Sequence, residues 1–274
     1  MTADTFFRWI DLDITEIGEH AATFDLIRRG ELHAVAVRDV YRPDDLAAVI
    51  ESLERHDPPF VQTWFPPAFK SWFYGRNLNL QRPDLSDYFA DVGPFTSQFE
   101  QLFGAGKGIE RLSEVLSSLD HGRPFVAAPG PAPGQTYMFT TIRAHLEGGF
   151  IPPHFDNEYV LRPSYQHLQT QVEPRTLSFV VALSLPVAGG ALEVYDLRSD
   201  QAGRTFRNDD RATGQMDLAA VPRVSIRIPP GCMVVFDSGR YLHAVTPVQG
   251  NAKRWTLCSF MALSRDGQAM YCWG

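Results

Sequence analysis

His154 and Asp156 stand one residue apart in the stretch PPHFDNEY, residues 152–159. In an extended segment successive side chains point to opposite faces, so the imidazole and the carboxylate share one face and Phe155 takes the other. The pair says little alone, because the chain carries eight histidines and one of them beside an acid is commonly a turn or surface residue. A third donor has to come from a distant segment. DSGRYLHAVTPV (237–248) offers His243 at the start of an expected strand, and no other histidine lies beyond His167. Two imidazoles and one carboxylate form the facial set that suits non-haem Fe(II) and leaves coordination positions open.

An iron ion held this way needs an electron source to activate dioxygen, and 2-oxoglutarate supplies it in such sites. The far carboxylate of that co-substrate calls for a planar double donor, which arginine provides better than lysine. Arg254 meets the need on the strand after His243, and Thr256 lies two residues on, on the same face. The ordered string His-x-Asp, His, Arg-x-Thr is far more specific than any of its parts.

With these residues in place, the C-terminal half, about residues 136–264, resembles the Fe(II)/2-oxoglutarate-dependent dioxygenase superfamily. PPHFDNEY is similar to its first ligand motif, GGALEVYD (189–196) to its middle strand, and PPGCMVVFDSGRYLHAVTPVQGNAKRWTLCSF (229–260) to its distal His and Arg block. The resemblance implies that His154, Asp156 and His243 bind iron and act in catalysis, and that Arg254 with Thr256 holds the distal carboxylate of 2-oxoglutarate. It implies a reaction in which dioxygen converts 2-oxoglutarate to succinate and carbon dioxide while a C–H bond of a second molecule is oxidised. Halogenating relatives carry a small residue where Asp156 stands, so aspartate here favours hydroxylation, desaturation or ring formation.

Further residues are placed around this set. Arg143 has the strand parity of Thr141 and His145, and with Tyr137 it is a candidate contact to 2-oxoglutarate; Arg143 is also open to a substrate role or a surface ion pair. Asn157, Glu158 and Arg162 follow the first ligands and are candidate substrate contacts. Arg76, in FYGRNLN (73–79), is a fourth if the aromatic stretch 59–90 forms a lid, although the plainer reading makes those rings core and Arg76 a side chain reaching to water. His145 and His167 are read as structural or supporting. GAGKGIE (104–110) lacks the spacing and hydroxyl of a phosphate loop and is read as a turn between helices.

Composition narrows the classes. Twenty-five basic and 32 acidic residues give a net charge of −7, which disfavours a nucleic-acid partner. Three cysteines fit neither a disulfide framework nor a zinc motif, and a reducing cytoplasm is the expected location. MTADTFFRWIDLD has no basic region followed by an apolar run, so no signal peptide is expected. No apolar stretch reaches the roughly 18 residues of a membrane span.

The elements that must position the site follow from periodicity. ELHAVAVRDV (31–40) suits a strand, residues 42–56 a helix opened by Pro43 and two aspartates, and residues 95–119 helices interrupted at glycines. After the turn-rich AAPGPAPG (127–134), strands are expected over 136–146, 176–186, 190–197, 223–230, 232–238, 243–248 and 254–264, with a polar loop over 198–222. The expectation is one mainly β domain over 1–274, a double-stranded β-helix (jelly roll, cupin-like) from 136 to 274. Residues 1–135 form an α/β extension with flanking helices that shapes the substrate pocket. The expected function is an Fe(II)/2-oxoglutarate dioxygenase that uses dioxygen to hydroxylate a small polar molecule, an amino acid or a natural-product intermediate. The alternatives are a non-catalytic cupin-like binding protein and a peptide or protein hydroxylase; Arg254 after the distal histidine argues against the Jumonji type, which uses a lysine from an earlier strand.

Overall fold

The structure is a computed structural model that describes residues 6–80, 84–104, 106–157, 162–201 and 218–274. The first half runs β1 (Trp9–Asp13), α1 (Thr23–Arg29), β2 (Ala34–Arg38), α2 (Pro43–Arg55), β3 (Gln62–Trp64), β4 (Ser71–Tyr74), α3 (Ser86–Phe103), α4 (Ile109–Ser118) and β5 (Phe125–Ala127). The second runs β6 (Thr141–His145), β7 (Ile151–His154), α5 (Leu168–Gln171), β8 (Leu177–Ala182), β9 (Leu192–Arg198), β10 (Arg223–Ile226), β11 (Met233–Phe236), β12 (Tyr241–Val245), β13 (Arg254–Leu263) and β14 (Met270–Trp273).

Two sheets result. The larger has the order β1-β2-β11-β8-β13-β6-β4-β3, with β14 joining the far half of β13 and pairing in turn with β5; the smaller is β10-β9-β12-β7. Residues of the N-terminal half therefore do more than flank the C-terminal strands. β1, β2, β3, β4 and β5 extend the large sheet on both sides.

Strand parity explains the layers. Val35 and Val37 of β2, Phe179 and Val181 of β8, and Trp255 and Leu257 of β13 point to the face covered by the helices, in one core with Phe24, Leu53, Phe99 and Leu116. Ala34 and Ala36, Ala182, and Val234 and Phe236 point the other way and pack on Leu192, Val194 and Ile226 of the small sheet. Polar side chains at alternate positions of β6 and β13 thus fall on the inner face. Helix α2 starts as its sequence dictates, with Pro43 in the first turn and Asp44 and Asp45 against the positive end of the helix dipole.

Three boundaries differ from the sequence expectation. The strand carrying His154 ends at that residue, and Asp156 lies in the following turn. His243 sits in the middle of its strand rather than at the start. The stretch 59–90 folds into β3, β4 and the start of α3, where aromatic density had masked the strand alternation. Of the expected loop 198–222, residues 202–217 lie outside the described residues. Among the described residues no helix is long and apolar enough to cross a membrane.

Candidate metal centre and its cavity

His154 and His243 lie directly opposite each other where β7 pairs with β12. Their rings are 4.2 Å apart at the centroids. The Nδ1 of His154 is 2.8 Å from the carbonyl of Pro152, and the Nδ1 of His243 is 3.0 Å from that of Tyr241. A carbonyl can only accept, so each Nδ1 carries the proton and each Nε2 presents a lone pair, the tautomer a metal ligand needs. The turn after β7 then brings Asp156 between the two rings. Its Oδ1 is 3.3 Å from His154 Nε2 and its Oδ2 3.5 Å from His243 Nε2. The backbone N–H of Asp156 donates to Ser238 at 3.1 Å, which ties the turn to the chain just before β12.

All three donor atoms fall within 4.8 Å of one another, close enough to share one ion. Burial alone would raise the Asp156 carboxyl, yet the imidazoles of His243 and His154 hold it down at about 2. Burial, and then the neighbouring His154, push His243 down to about 4. A carboxylate and two imidazole Nε2 atoms aimed at one point make a donor set that fits a divalent cation.

A second polar group stands further along the inner face. β13 pairs with β6 so that Arg254 is opposite His145 and Thr256 is opposite Arg143. Arg254 is 5% exposed and Thr256 and His145 are fully buried. Burial pulls the Arg254 pKa down and drives that of His145 well below its ordinary value, so the imidazole is neutral. Both ring nitrogens of His145 are buried without a hydrogen-bond partner. Such groups normally find one, so an orphaned ring N–H beside an enclosed guanidinium matches what a carboxylate would fill. Gly190 leaves room for this arginine: a Cβ there would lie 2.8 Å from Arg254 Cδ.

A cavity of about 250 Å³ opens beside the two histidines and the aspartate, reached by His154 and Asp156. Its walls are rings, Phe65, Phe69, Phe150, Phe155, Tyr165, Phe260 and Trp273, with Arg143, Arg162, Asn79 and Ser71 as polar points. Arg162 donates to the carbonyl of Asn79 at 3.0 Å.

Of the residues singled out by sequence, the structure brings together His154, Asp156 and His243, places Arg254 and Thr256 on the inner face, and puts Arg143 and Arg162 in the cavity wall. It does not bring Arg76 or Tyr137 there. Arg76 is paired with Asp91 of α3, and Tyr137 packs against Tyr88, Phe89 and His167 under the helices. The bend at Gly75, φ +97°, precedes Arg76 at the end of β4. Asn157 is half-buried and does not line the cavity, and Glu158 lies outside the described residues. Phe260 and Trp273 were not expected, because their strands left no polar signal, and His145 was expected to be structural or supporting.

The family model of the carrier-protein-independent halogenase WelO5 matches residues 6–274. No curated protein matches. Among solved structures, that of an N-substituted L-amino acid dioxygenase from Burkholderia ambifaria AMMD aligns over 92% of this chain and 90% of its own, with 14% identity and a TM-score of 0.59. The same enzyme in complex with alpha-KG gives 16% identity, the same coverage and the same TM-score. The epimerase SnoN, in complex with Fe3+, alpha ketoglutarate and nogalamycin RO, aligns over 91% of this chain and 84% of its own, with 12% identity and a TM-score of 0.52. At such identities these three likenesses are of fold.

Proposed function

The chain belongs to the family of the carrier-protein-independent halogenase WelO5, within the Fe(II)/2-oxoglutarate-dependent oxygenases, and on that premise we propose that it hydroxylates its small-molecule substrate rather than halogenating it. The observation that carries this reading is Asp156, whose carboxylate fills the corner between the two Nε2 atoms. A halide ligand would need that corner open.

The enzyme is a 2-oxoglutarate-dependent non-haem iron enzyme. His154, Asp156 and His243 would hold the iron, which when bound supplies the oxidising chemistry with dioxygen and 2-oxoglutarate. The protein does the rest. The carbonyls of Pro152 and Tyr241 fix the two imidazole tautomers. Arg254, Thr256 and the orphaned His145 would receive the distal carboxylate of 2-oxoglutarate. The ring-lined cavity would hold the substrate and exclude water from the reacting bond.

We read the two facing sheets as a double-stranded β-helix and residues 1–274 as one catalytic unit, with the N-terminal half shaping the pocket through Phe65, Phe69, Ser71 and Asn79. An amino-acid derivative or natural-product intermediate, turned over in the cytoplasm without nucleic acid, suits the cavity and the net charge of −7. The test is product analysis. Protein supplied with Fe(II), ascorbate, 2-oxoglutarate and chloride is offered a panel of ring-bearing acids and amino-acid derivatives in air. Succinate should accompany a product that has gained one oxygen, and a chlorinated product would overturn the reading.

A further inference from the structure

Arg143 is a half-buried cation that no acid pairs with among the described residues. It lies in the middle of β6, and its Nε is buried without a hydrogen-bond partner. The side chain lies over two rings, with its guanidinium carbon 4.2 Å from the centroid of Phe73 and 5.5 Å from that of Phe65. Those faces ease the desolvation of a guanidinium but do not neutralise it. It lines the same cavity as His154 and Asp156, whereas Arg254 and Thr256 do not.

The charges of the filled site sharpen this. A divalent iron and the Asp156 carboxylate leave one positive charge, because an imidazole must be neutral to ligate a metal. The two negative charges of 2-oxoglutarate are met by that charge and by Arg254. Metal, ligands, co-substrate and Arg254 therefore cancel, and the cations left over in the cavity wall are Arg143 and Arg162, of which Arg162 already donates to the carbonyl of Asn79. Arginine stays protonated in proteins, and a charge partly withdrawn from water without a partner is costly.

We propose that Arg143 is the seat of the substrate's own carboxylate, and that the substrate is a carboxylic acid with a ring or other apolar body lying among Phe65, Phe69, Phe150 and Phe260. This rests on the iron and 2-oxoglutarate reading of the site and adds the substrate class to it. A guanidinium takes a carboxylate through two parallel hydrogen bonds, so charge and orientation are recognised together. Held by one end at Arg143, the molecule presents its body to the side of the cavity where His154 and Asp156 stand.

The experiment uses the Mn(II)-loaded protein saturated with 2-oxoglutarate, which reports binding without turnover. Three matched pairs are titrated by calorimetry: phenylacetate and phenylacetamide, 3-phenylpropionate and 3-phenylpropanamide, indole-3-acetate and indole-3-acetamide. At least one acid should bind about 10-fold or more tightly than its amide, and Arg143→Met should weaken that acid by about 30-fold or more while moving the amide and 2-oxoglutarate by less than about threefold. Arg143→Lys keeps the charge without the fork, and decides the matter if the methionine variant does not fold. It should retain an acid preference reduced by about threefold or more. The proposal is overturned if no acid outdoes its amide, if the preference survives in the methionine variant or is unchanged in the lysine variant, or if Arg143→Met weakens 2-oxoglutarate as much as it weakens the acid. Wild-type protein that binds no 2-oxoglutarate would instead sink the co-substrate reading on which the proposal stands.

Discussion

His154 and His243 face each other across one rung of the β7–β12 ladder, and each hands its Nδ1 proton to the carbonyl two residues earlier in its own strand. The local backbone therefore sets the tautomer twice, independently, before any ion arrives. Asp156 is then the one candidate ligand placed by a turn.

Replacing His243 with alanine should abolish stoichiometric metal binding while the circular dichroism spectrum is kept. The loss should exceed the roughly 10- to 100-fold cost of removing a supporting partner of a metal ligand. Metal content after dialysis reads it directly, and a variant that keeps one tightly bound ion would show that His243 is no ligand.

Asp156→Gly should end oxygen insertion and open the corner that the carboxylate fills. With metal and 2-oxoglutarate still bound and chloride supplied, mass spectrometry of a turned-over substrate should show chlorine in place of hydrogen or no product at all. Unchanged hydroxylation would mean that Asp156 does not occupy a coordination position.

Arg254 and His145 make a third case. Losing a hydrogen bond to a charged group costs about 1.5–3 kcal/mol, so Arg254→Met should weaken 2-oxoglutarate by roughly 10- to 100-fold or more, and His145→Phe by about 10-fold. A 2-oxo acid that ends in a methyl group, 2-oxopentanoate, should bind wild type and both variants alike. Equal losses for both acids would point to general damage in place of a carboxylate contact.

Gly190 tests the same subsite from outside it. Its φ of +67° disfavours any side chain, and a Cβ would meet Arg254 Cδ at 2.8 Å and Pro186 Cγ at 3.1 Å. Gly190→Ala should lower the melting temperature and weaken 2-oxoglutarate, measured by differential scanning fluorimetry and calorimetry. An alanine variant with unchanged 2-oxoglutarate affinity would show that Arg254 does not need that space.

Much of this site was legible in the linear chain because its chemistry-bearing residues sit on strands of strict parity. Arg143 with His145, and Arg254 with Thr256, could each be assigned to one face of a strand by counting in twos, and the pairing of β6 with β13 sets the two pairs side by side. The three candidate metal ligands were legible for another reason: few residue types can do that work, and no second distal histidine competed. The structure was needed where parity gave way. Asp156 reaches the site from a turn, and Arg76 was drawn to Asp91 by a helix that the aromatic stretch concealed. Trp273 and Phe260 enter the cavity wall from the β13–β14 pairing, and an apolar residue on a strand looks the same whether it faces a core or a cavity.

The most direct test is an anaerobic calorimetric titration of the Fe(II)-loaded protein with 2-oxoglutarate, alongside the metal-free protein. The account requires one molecule of 2-oxoglutarate per iron and no comparable binding without the metal. Equal binding with and without iron, or none in either state, would contradict it.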